Sequence, residues 1–314
     1  MIPLVYNPRS GQGRLDPGAL LARLPEEVRR RIEPVRLEPP FDYEPWIRGA
    51  AREGVPLLVW GGDGTLHHAG RALARAGCPA SLGAVPGGSG NGLVRGLRTP
   101  LDPAGAVVRL LEGRDLALDL GTLDGEPFLN LCGTGFEAEV AEAFEAAQGR
   151  GFRTYARACL ALWRTYPGLD LSWDAERPAE GPAPGRLDRL RAAWRGPEPP
   201  LPDHAWSLCI ANLPQYGSGL WIAPGAHPAD GLLTWARLDR PGPWDLLSEV
   251  PRLFREGGRT PLRAEGRLLR ATVRLDRPAP WHLDGEPAPA RDRAEMGVLP
   301  GAFRMRVTSD CPWA

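Results

Sequence analysis

The chain has 314 residues, 43% hydrophobic and 24% charged, enough for two domains of ordinary size with real cores. Its 38 basic residues balance 38 acidic ones and none is lysine, so the charge gives no case for nucleic acid as a partner and no P-loop or Schiff-base lysine exists. Cys78, Cys132, Cys159, Cys209 and Cys311 are scattered, without a Cys-x-x-Cys pair, which argues against a disulfide framework or a zinc site.

The opening Met1–Pro8 lacks the basic flank of a signal peptide, and no apolar run reaches transmembrane length. The expectation is a soluble, cytoplasmic protein. In chain order, Ile2–Tyr6 reads as a strand, Asn7–Arg14 as a turn, and Pro17–Arg31 as helical. Pro34–Leu37 reads as a second strand, Glu44–Glu53 as a helix, and Val55–Val59 as a buried strand. Trp60-Gly61-Gly62-Asp63-Gly64-Thr65-Leu66 then forms a glycine turn before a helix over Ala69–Ala76. Ser81–Pro86 is a strand that runs into a second glycine turn, Gly87–Gly92, and Ala104–Glu112 is a helix. Alternating strands and helices over this first part predict a parallel sheet covered on both faces. Ligands of such sheets bind beyond the strand C-termini, where the turns after Tyr6, Trp60 and Pro86 all lie.

The texture changes near residue 115. Leu116–Gly121 and Pro127–Leu131 read as strands around an Asp124-Gly125 turn, and Ala138–Ala147 and Thr154–Arg164 as helices. Short strands follow at Leu169–Trp173, Trp206–Ala211, Leu232–Leu238, Leu268–Leu275 and Phe303–Val307, with a Pro/Gly/Arg-rich loop over Arg177–Pro202. Nine of the eleven tryptophans fall after residue 150; core packing accounts for most, with a few left for a lipid interface.

The chemistry centres on the glycine turns. Strand, glycine turn and helix put backbone N–H groups and a helix N-terminus against a phosphate. Asp63 at the lip would repel that phosphate unless a metal lies between, which suggests a nucleotide–Mg²⁺ site; an ordinary glycine-rich turn with an Asp cap is the alternative. Asp284-Gly285-Glu286 follows a strand-like Trp281-His282-Leu283 and presents two carboxylates, suited to a general base and a supporting partner. Taken alone, it reads as a polar hairpin turn.

Four blocks in order carry a resemblance: Asn7-Pro8-Arg9-Ser10-Gly11, Gly61-Gly62-Asp63-Gly64-Thr65, Gly88-Ser89-Gly90-Asn91 and Asp284-Gly285-Glu286. With lesser matches at Gly133–Glu139, Asn212–Gly219, Ala223-Pro224 and Asp230–Leu233, they span almost the whole chain. The chain resembles the diacylglycerol kinase catalytic-domain family, which includes bacterial diacylglycerol kinases and sphingosine kinases. That resemblance implies an ATP-binding α/β domain at residues 1–118, joined again by 299–314, and a β-sandwich lipid-substrate domain at 119–298. It assigns Asn7–Gly11, Gly62–His68 and Ser89 to ATP, with Mg²⁺ anchored on Asp63. Glu286 is the expected proton acceptor with Asp284 supporting it, and Asp63 is the rival base. It further implies a structural Mg²⁺ at His227, Asp230 and Leu232, or else a plain β-turn there. Glu139 is expected at the lipid head group, or else as an acid favoured by a helix N-terminus.

Two departures stand out. His67-His68 replace the usual Asn-Glu, and Ala229 stands where an Asp of the Mg²⁺–water network is common. The family's ATP-contacting Thr near residues 35–43 has no match. The expected activity is an ATP- and Mg²⁺-dependent lipid kinase working peripherally at a membrane surface, with room for a homodimer. An NAD-kinase-like phosphotransferase and a catalytically weak nucleotide- or lipid-binding protein are the alternatives.

Overall fold

A computed structural model describes residues 1–8, 10, 15–146, 152–178 and 199–313. Arg9 and Gly11, expected at the ATP site, and most of the Pro/Gly/Arg-rich loop lie outside the described residues. Strands β1 (Ile2–Tyr6), β2 (Ile32–Arg36), β3 (Leu57–Gly61) and β4 (Leu82–Pro86) form a parallel sheet in the order β2-β1-β3-β4. Every residue of β3 and β4 is buried, as expected for strands with helices on both faces. Helices α1 (Pro17–Ala22), α2 (Glu26–Arg29), α3 (Glu44–Glu53), α4 (Asp63–Ala76), α5 (Gly92–Gly96) and α6 (Pro103–Glu112) supply that cover. Ile47, Leu66 and Leu73 pack on one face, and Leu20, Leu24, Val107 and Leu110 on the other.

Helix boundaries follow local chemistry. Asp16 and Asp102 cap α1 and α6 through Ala19 N–H and Gly105 N–H. Gly54 and Gly77 end α3 and α4 in the left-handed conformation. Pro25 breaks the expected Pro17–Arg31 helix into α1 and α2. Helix α4 begins at Asp63 rather than near Ala69, so Asp63, Gly64 and Thr65 belong to its first turn.

After β5 (Arg114–Leu123) and β6 (Glu126–Phe128), the second part is built on antiparallel pairs. Its elements are β7 (Leu131–Gly135), α7 (Phe136–Ala146), α8 (Phe152–Thr165), β8 (Leu169–Glu176), β9 (His204–Ala205) and β10 (Ser207–Ala211). Next come β11 (Gln215–Gly217), β12 (Leu220–Trp221), β13 (Leu233–Leu238), α9 (Asp245–Ser248), α10 (Val250–Leu253), β14 (Arg263–Leu268), β15 (Arg270–Leu283) and β16 (Glu286–Val307). Strand β7 lies between β10 and β15. Trp206, Trp235 and Trp281 are buried in this core with Leu171 and Val273, which bears out core packing for those tryptophans.

The two parts share one sheet, ordered β14-β13-β10-β7-β15-β16-β4-β3-β1-β2. The link is β16, 22 residues long. It starts as a hairpin partner of β15, pairs along β5, and ends parallel to β4 with Met305 opposite Leu82. Phe303, Met305 and Val307 thereby join the core of the first part. The β15–β16 turn brings Asp284 and Glu286 to the edge where the parallel strands end.

Candidate active site

Helix α4 has no side-chain cap. Gly62 precedes it in extended conformation, so the first-turn N–H groups face outward without an internal acceptor. They open on a cavity of about 320 Å³ lined by Asn7, Ser10, Phe41, Tyr43, Gly62, Gly64, Thr65, His68 and Glu286. The volume is in the range of small-ligand sites. Ser10 Oγ and Thr65 Oγ1 lie 2.7 Å apart, tying the loop after β1 to α4.

The glycines of the two turns serve mainly each other. A Cβ on Gly87 would stand 2.9 Å from Gly61 Cα, and one on Gly88 2.6 Å from Gly62 Cα. The two loops therefore lie backbone against backbone, which only glycine permits. Asn91, at φ 50°, closes the second loop by accepting from Gly88 N–H and donating to Gly88 C=O. Gly61, Gly88, Gly90 and Asn91 thus shape the loops behind the cavity, while Ser89 is exposed.

Asp63 is held where the loops meet. Its Oδ1 accepts from Gly92 N–H at 2.7 Å, and a Cβ on Gly90 would come within 2.7 Å of its Oδ2. Burial pushes its carboxyl up; the N–H groups of Gly92, Asn91 and Leu93 pull it down, and nearby Asp284 adds to the rise.

Asp284 and Gly285, at φ 53° and 90°, make the two-residue hairpin turn. The Asp284 carboxylate is saturated. Its Oδ1 accepts from the N–H groups of Asn130 (2.7 Å) and Leu131 (3.0 Å). Its Oδ2 accepts from Leu129 N–H (2.9 Å) and contacts His67 Nδ1 at 2.8 Å. Asp284 anchors the turn to β7 and α4, which leaves Glu286 as the carboxylate that enters the cavity. A Cβ on Gly64 would fall 2.0 Å from Glu286 Oε1, so the glycine is what admits this carboxylate to the helix N-terminus.

The adjacent histidines part company, as helical spacing requires. His67 is 2% exposed and turned to Asp284, whereas His68 lines the cavity with Glu286. His68 is itself exposed, yet partial desolvation at the cavity wall lowers its imidazole, His67 lowers it further, and Glu286 opposes them. Of the cavity residues Phe41, Tyr43 and His68, the first two were not legible as site residues in the sequence, whereas His68 falls in the Gly62–His68 stretch that the resemblance assigns to ATP. The signal for the first two was position, since β2 ends at the same sheet edge as its neighbours. Burial pushes the Tyr43 hydroxyl up to about 12.

The remaining candidates lie elsewhere. Among the described residues no three His, Cys, Asp or Glu side chains are grouped to hold a metal. Asp230 Oδ1 accepts from Leu232 N–H at 3.0 Å and His227 Nδ1 from Ala229 N–H at 3.2 Å, both within one turn. Asp119, buried and missed in the sequence, holds that turn by accepting from Gly231 N–H and Gly301 N–H. Glu139 is half-buried on α7; burial raises its carboxyl and Glu142 adds to it, while Arg277 counters them.

With this geometry in place, the likeness to known proteins is decisive. Residues 2–123 match the diacylglycerol kinase catalytic domain, and residues 132–307 match the YegS C-terminal NAD kinase beta sandwich-like domain. A protein named "Probable lipid kinase YegS-like" from Pseudomonas fluorescens strain Pf-5 is 32% identical over 302 residues, covering 92% of this chain and 93% of its own. This chain belongs to the diacylglycerol kinase catalytic-domain family of lipid kinases. A relative of the same name from Pseudomonas aeruginosa is 30% identical, covering 82% of this chain and 78% of its own. The crystal structure of a diacylglycerol kinase from Bacillus anthracis str. Sterne shares the fold, with a TM-score of 0.69 at 15% identity over 99% of this chain and 97% of that one. The first part of this lipid kinase is therefore its kinase catalytic domain, and the second its β-sandwich.

Proposed function

We propose that this lipid kinase transfers the γ-phosphoryl group of ATP to a hydroxyl of a membrane lipid such as a diacylglycerol or a sphingoid base. The observation that carries the reading is the uncapped N-terminus of α4 opening on a cavity that Glu286 enters across Gly64. Helix N–H groups and dipole suit the phosphates. Ser10 and Thr65 add hydroxyl donors at the cavity wall. Glu286 is the group positioned to take the acceptor's proton as the transition state develops. Asp284, fixed by three backbone N–H groups and His67, holds the turn from which Glu286 projects.

Among the described residues no arginine lines the cavity, and lysine is absent from the chain, so a triphosphate there would meet the Glu286 carboxylate with His68 as the one basic side chain among those residues. That lining fits a Mg²⁺ that would arrive on the nucleotide, held by Glu286 at the cavity and by Asp63 where the two glycine loops meet beside it, rather than a closed protein cage. When bound, Mg²⁺ supplies neutralisation of the phosphate charge during transfer. No helix among the described residues is long and apolar enough to cross a membrane, which supports peripheral access to the lipid.

The test is incubation with γ-labelled ATP and a panel of lipid and soluble acceptors, with and without a chelator. Label is expected in a lipid acceptor, lost on chelation. Label in a soluble acceptor alone, or chelator-resistant transfer, would contradict the reading.

A further inference from the structure

A second polar cluster lies on the other side of the Gly88–Gly92 loop from the cavity. Glu137 from the first turn of α7, His282 from β15, Cys209 from β10 and Tyr216 from β11 converge above Gly133 of β7. Gly133 pairs in register with both Cys209 and His282, so these positions share one face of the sheet. A Cβ on Gly133 would meet His282 Nε2 at 2.8 Å and Glu137 Oε1 at 3.0 Å, so the glycine makes the room. Tyr216 crosses the His282 ring edge-on at 5.4 Å, with its hydroxyl 3.5 Å from Nε2.

Glu137 and His282 keep unused hydrogen-bonding capacity. Cys209 Sγ, a weak donor, reaches Glu137 Oε1 at 3.6 Å, and His282 Nε2 stands 3.7 Å away, beyond a good hydrogen bond. The Glu137 side chain is 18% exposed, buried enough to need donors and open enough to receive them. His282, 3% exposed, has Nδ1 buried with no partner among the described residues. A part-buried carboxylate whose protein donor is a weak thiol keeps acceptor capacity that a ligand's donor can use.

Its position relates it to the reaction. The Tyr216 carbonyl presses on Gly92, where a Cβ would lie 2.4 Å away, and Gly92 N–H donates to Asp63. Ser218 N–H donates to Gly90 C=O at 3.0 Å. Only the Gly90–Gly92 backbone separates Tyr216 from Asp63, and His282 is four residues before Glu286 on the same hairpin.

We infer that Glu137, His282 and Tyr216 form a polar subsite for the acceptor head group, binding a hydrogen-bond-donating group, a second hydroxyl or an ammonium, beside the hydroxyl that is phosphorylated. The inference rests on the lipid-kinase reading. Glu139, two residues on, has Glu142 and Arg277 as charged neighbours and lies off this cluster.

The test is calorimetric binding of three short-chain probes to the full chain: 1-octanoylglycerol with two free hydroxyls, an eight-carbon sphingoid amine, and 1-octanol with neither feature. The wild type is expected to bind one of the first two at least about tenfold more tightly than octanol. Glu137→Gln, which keeps the shape, should abolish that preference, and Tyr216→Phe should weaken it, with binding of a non-hydrolysable ATP analogue unchanged. Preference for the amine would mark an ammonium subsite, and preference for the glycerol a hydroxyl subsite. A wild type without preference, or a Glu137→Gln protein that retains it, would overturn the inference. A protein that shows the preference yet phosphorylates no lipid would refute the kinase reading and leave this subsite standing.

Discussion

Asp63 and His68 illustrate how single residues at the helix N-terminus are set by their surroundings. Asp63→Asn keeps an oxygen for Gly92 N–H but removes the charge that would hold Mg²⁺. Near-total loss of phosphoryl transfer with an unchanged melting temperature is expected, measured by labelled-ATP assay beside calorimetry; an active Asp63→Asn protein would remove Asp63 from the site. His68 bears on stability. Partial desolvation at the cavity wall and the neighbouring His67 lower its pKa from 6.5, so the unfolded chain binds its proton more readily than the folded one. Stability therefore falls as pH drops through about 6.5 toward the depressed folded value, and is recovered above it. Melting temperatures of wild type and His68→Gln across pH 5–8 check this: the acid-side slope should be shallower in the variant. The motif residues were readable because the glycines and acids sit within a few positions of one another. The His67–Asp284 contact was not, because its partners are 217 residues apart and meet only through the fold.

At the scale of elements, local chemistry fixed much of what could be read. Ile2–Tyr6 and Glu44–Glu53 appear with the bounds the pattern indicates. Strand β16 could not be read at its full length, because Pro287, Pro289, Pro300, Gly297 and Gly301 interrupt the alternation and disguise one strand as several pieces. It persists because β15 pairs with its first half and β5 with its second. Helix α4 was placed too late because a glycine-rich start scores as a turn; its N-terminus is stabilised by loop packing and not by propensity. Gly64 provides the test of this element. Alanine there suits a helix, and the clash is with the tip of the flexible Glu286 side chain. Gly64→Ala should retain wild-type stability, or gain up to about 1 kcal/mol, while losing most activity because Glu286 is displaced. Urea unfolding with steady-state kinetics decides it; a fully active variant would show that Glu286 need not approach the helix.

For the whole molecule, the change of texture near residue 115 marks where the parallel arrangement gives way to antiparallel pairing, and the resemblance implied two domains. The resemblance also implied that 299–314 returns to the first part; what the sequence did not disclose is that a single strand, β16, runs from the β15 hairpin to β4 and makes both parts one continuous sheet. Long-range register of this kind depends on pairings such as Met305 with Leu82, which no local pattern encodes. The shared strand predicts coupled unfolding. Most tryptophans lie after residue 150, so their fluorescence reports the second part, while far-UV circular dichroism also reports helices α1–α6 of the first. The two denaturation curves should coincide. Two separated transitions would mean that β16 does not couple the cores.

The central claim is that the cavity at α4 performs phosphoryl transfer with Glu286 as proton acceptor. Mg²⁺–ATP titration and steady-state kinetics of Glu286→Gln test it most directly. The account predicts a kcat lower by about 10²–10⁴ with ATP affinity little changed, because the helix N-terminus and its loops remain intact. A near-normal kcat would place the base elsewhere, with Asp63 first in line, and loss of ATP binding would make Glu286 a ligand of the nucleotide or its metal instead.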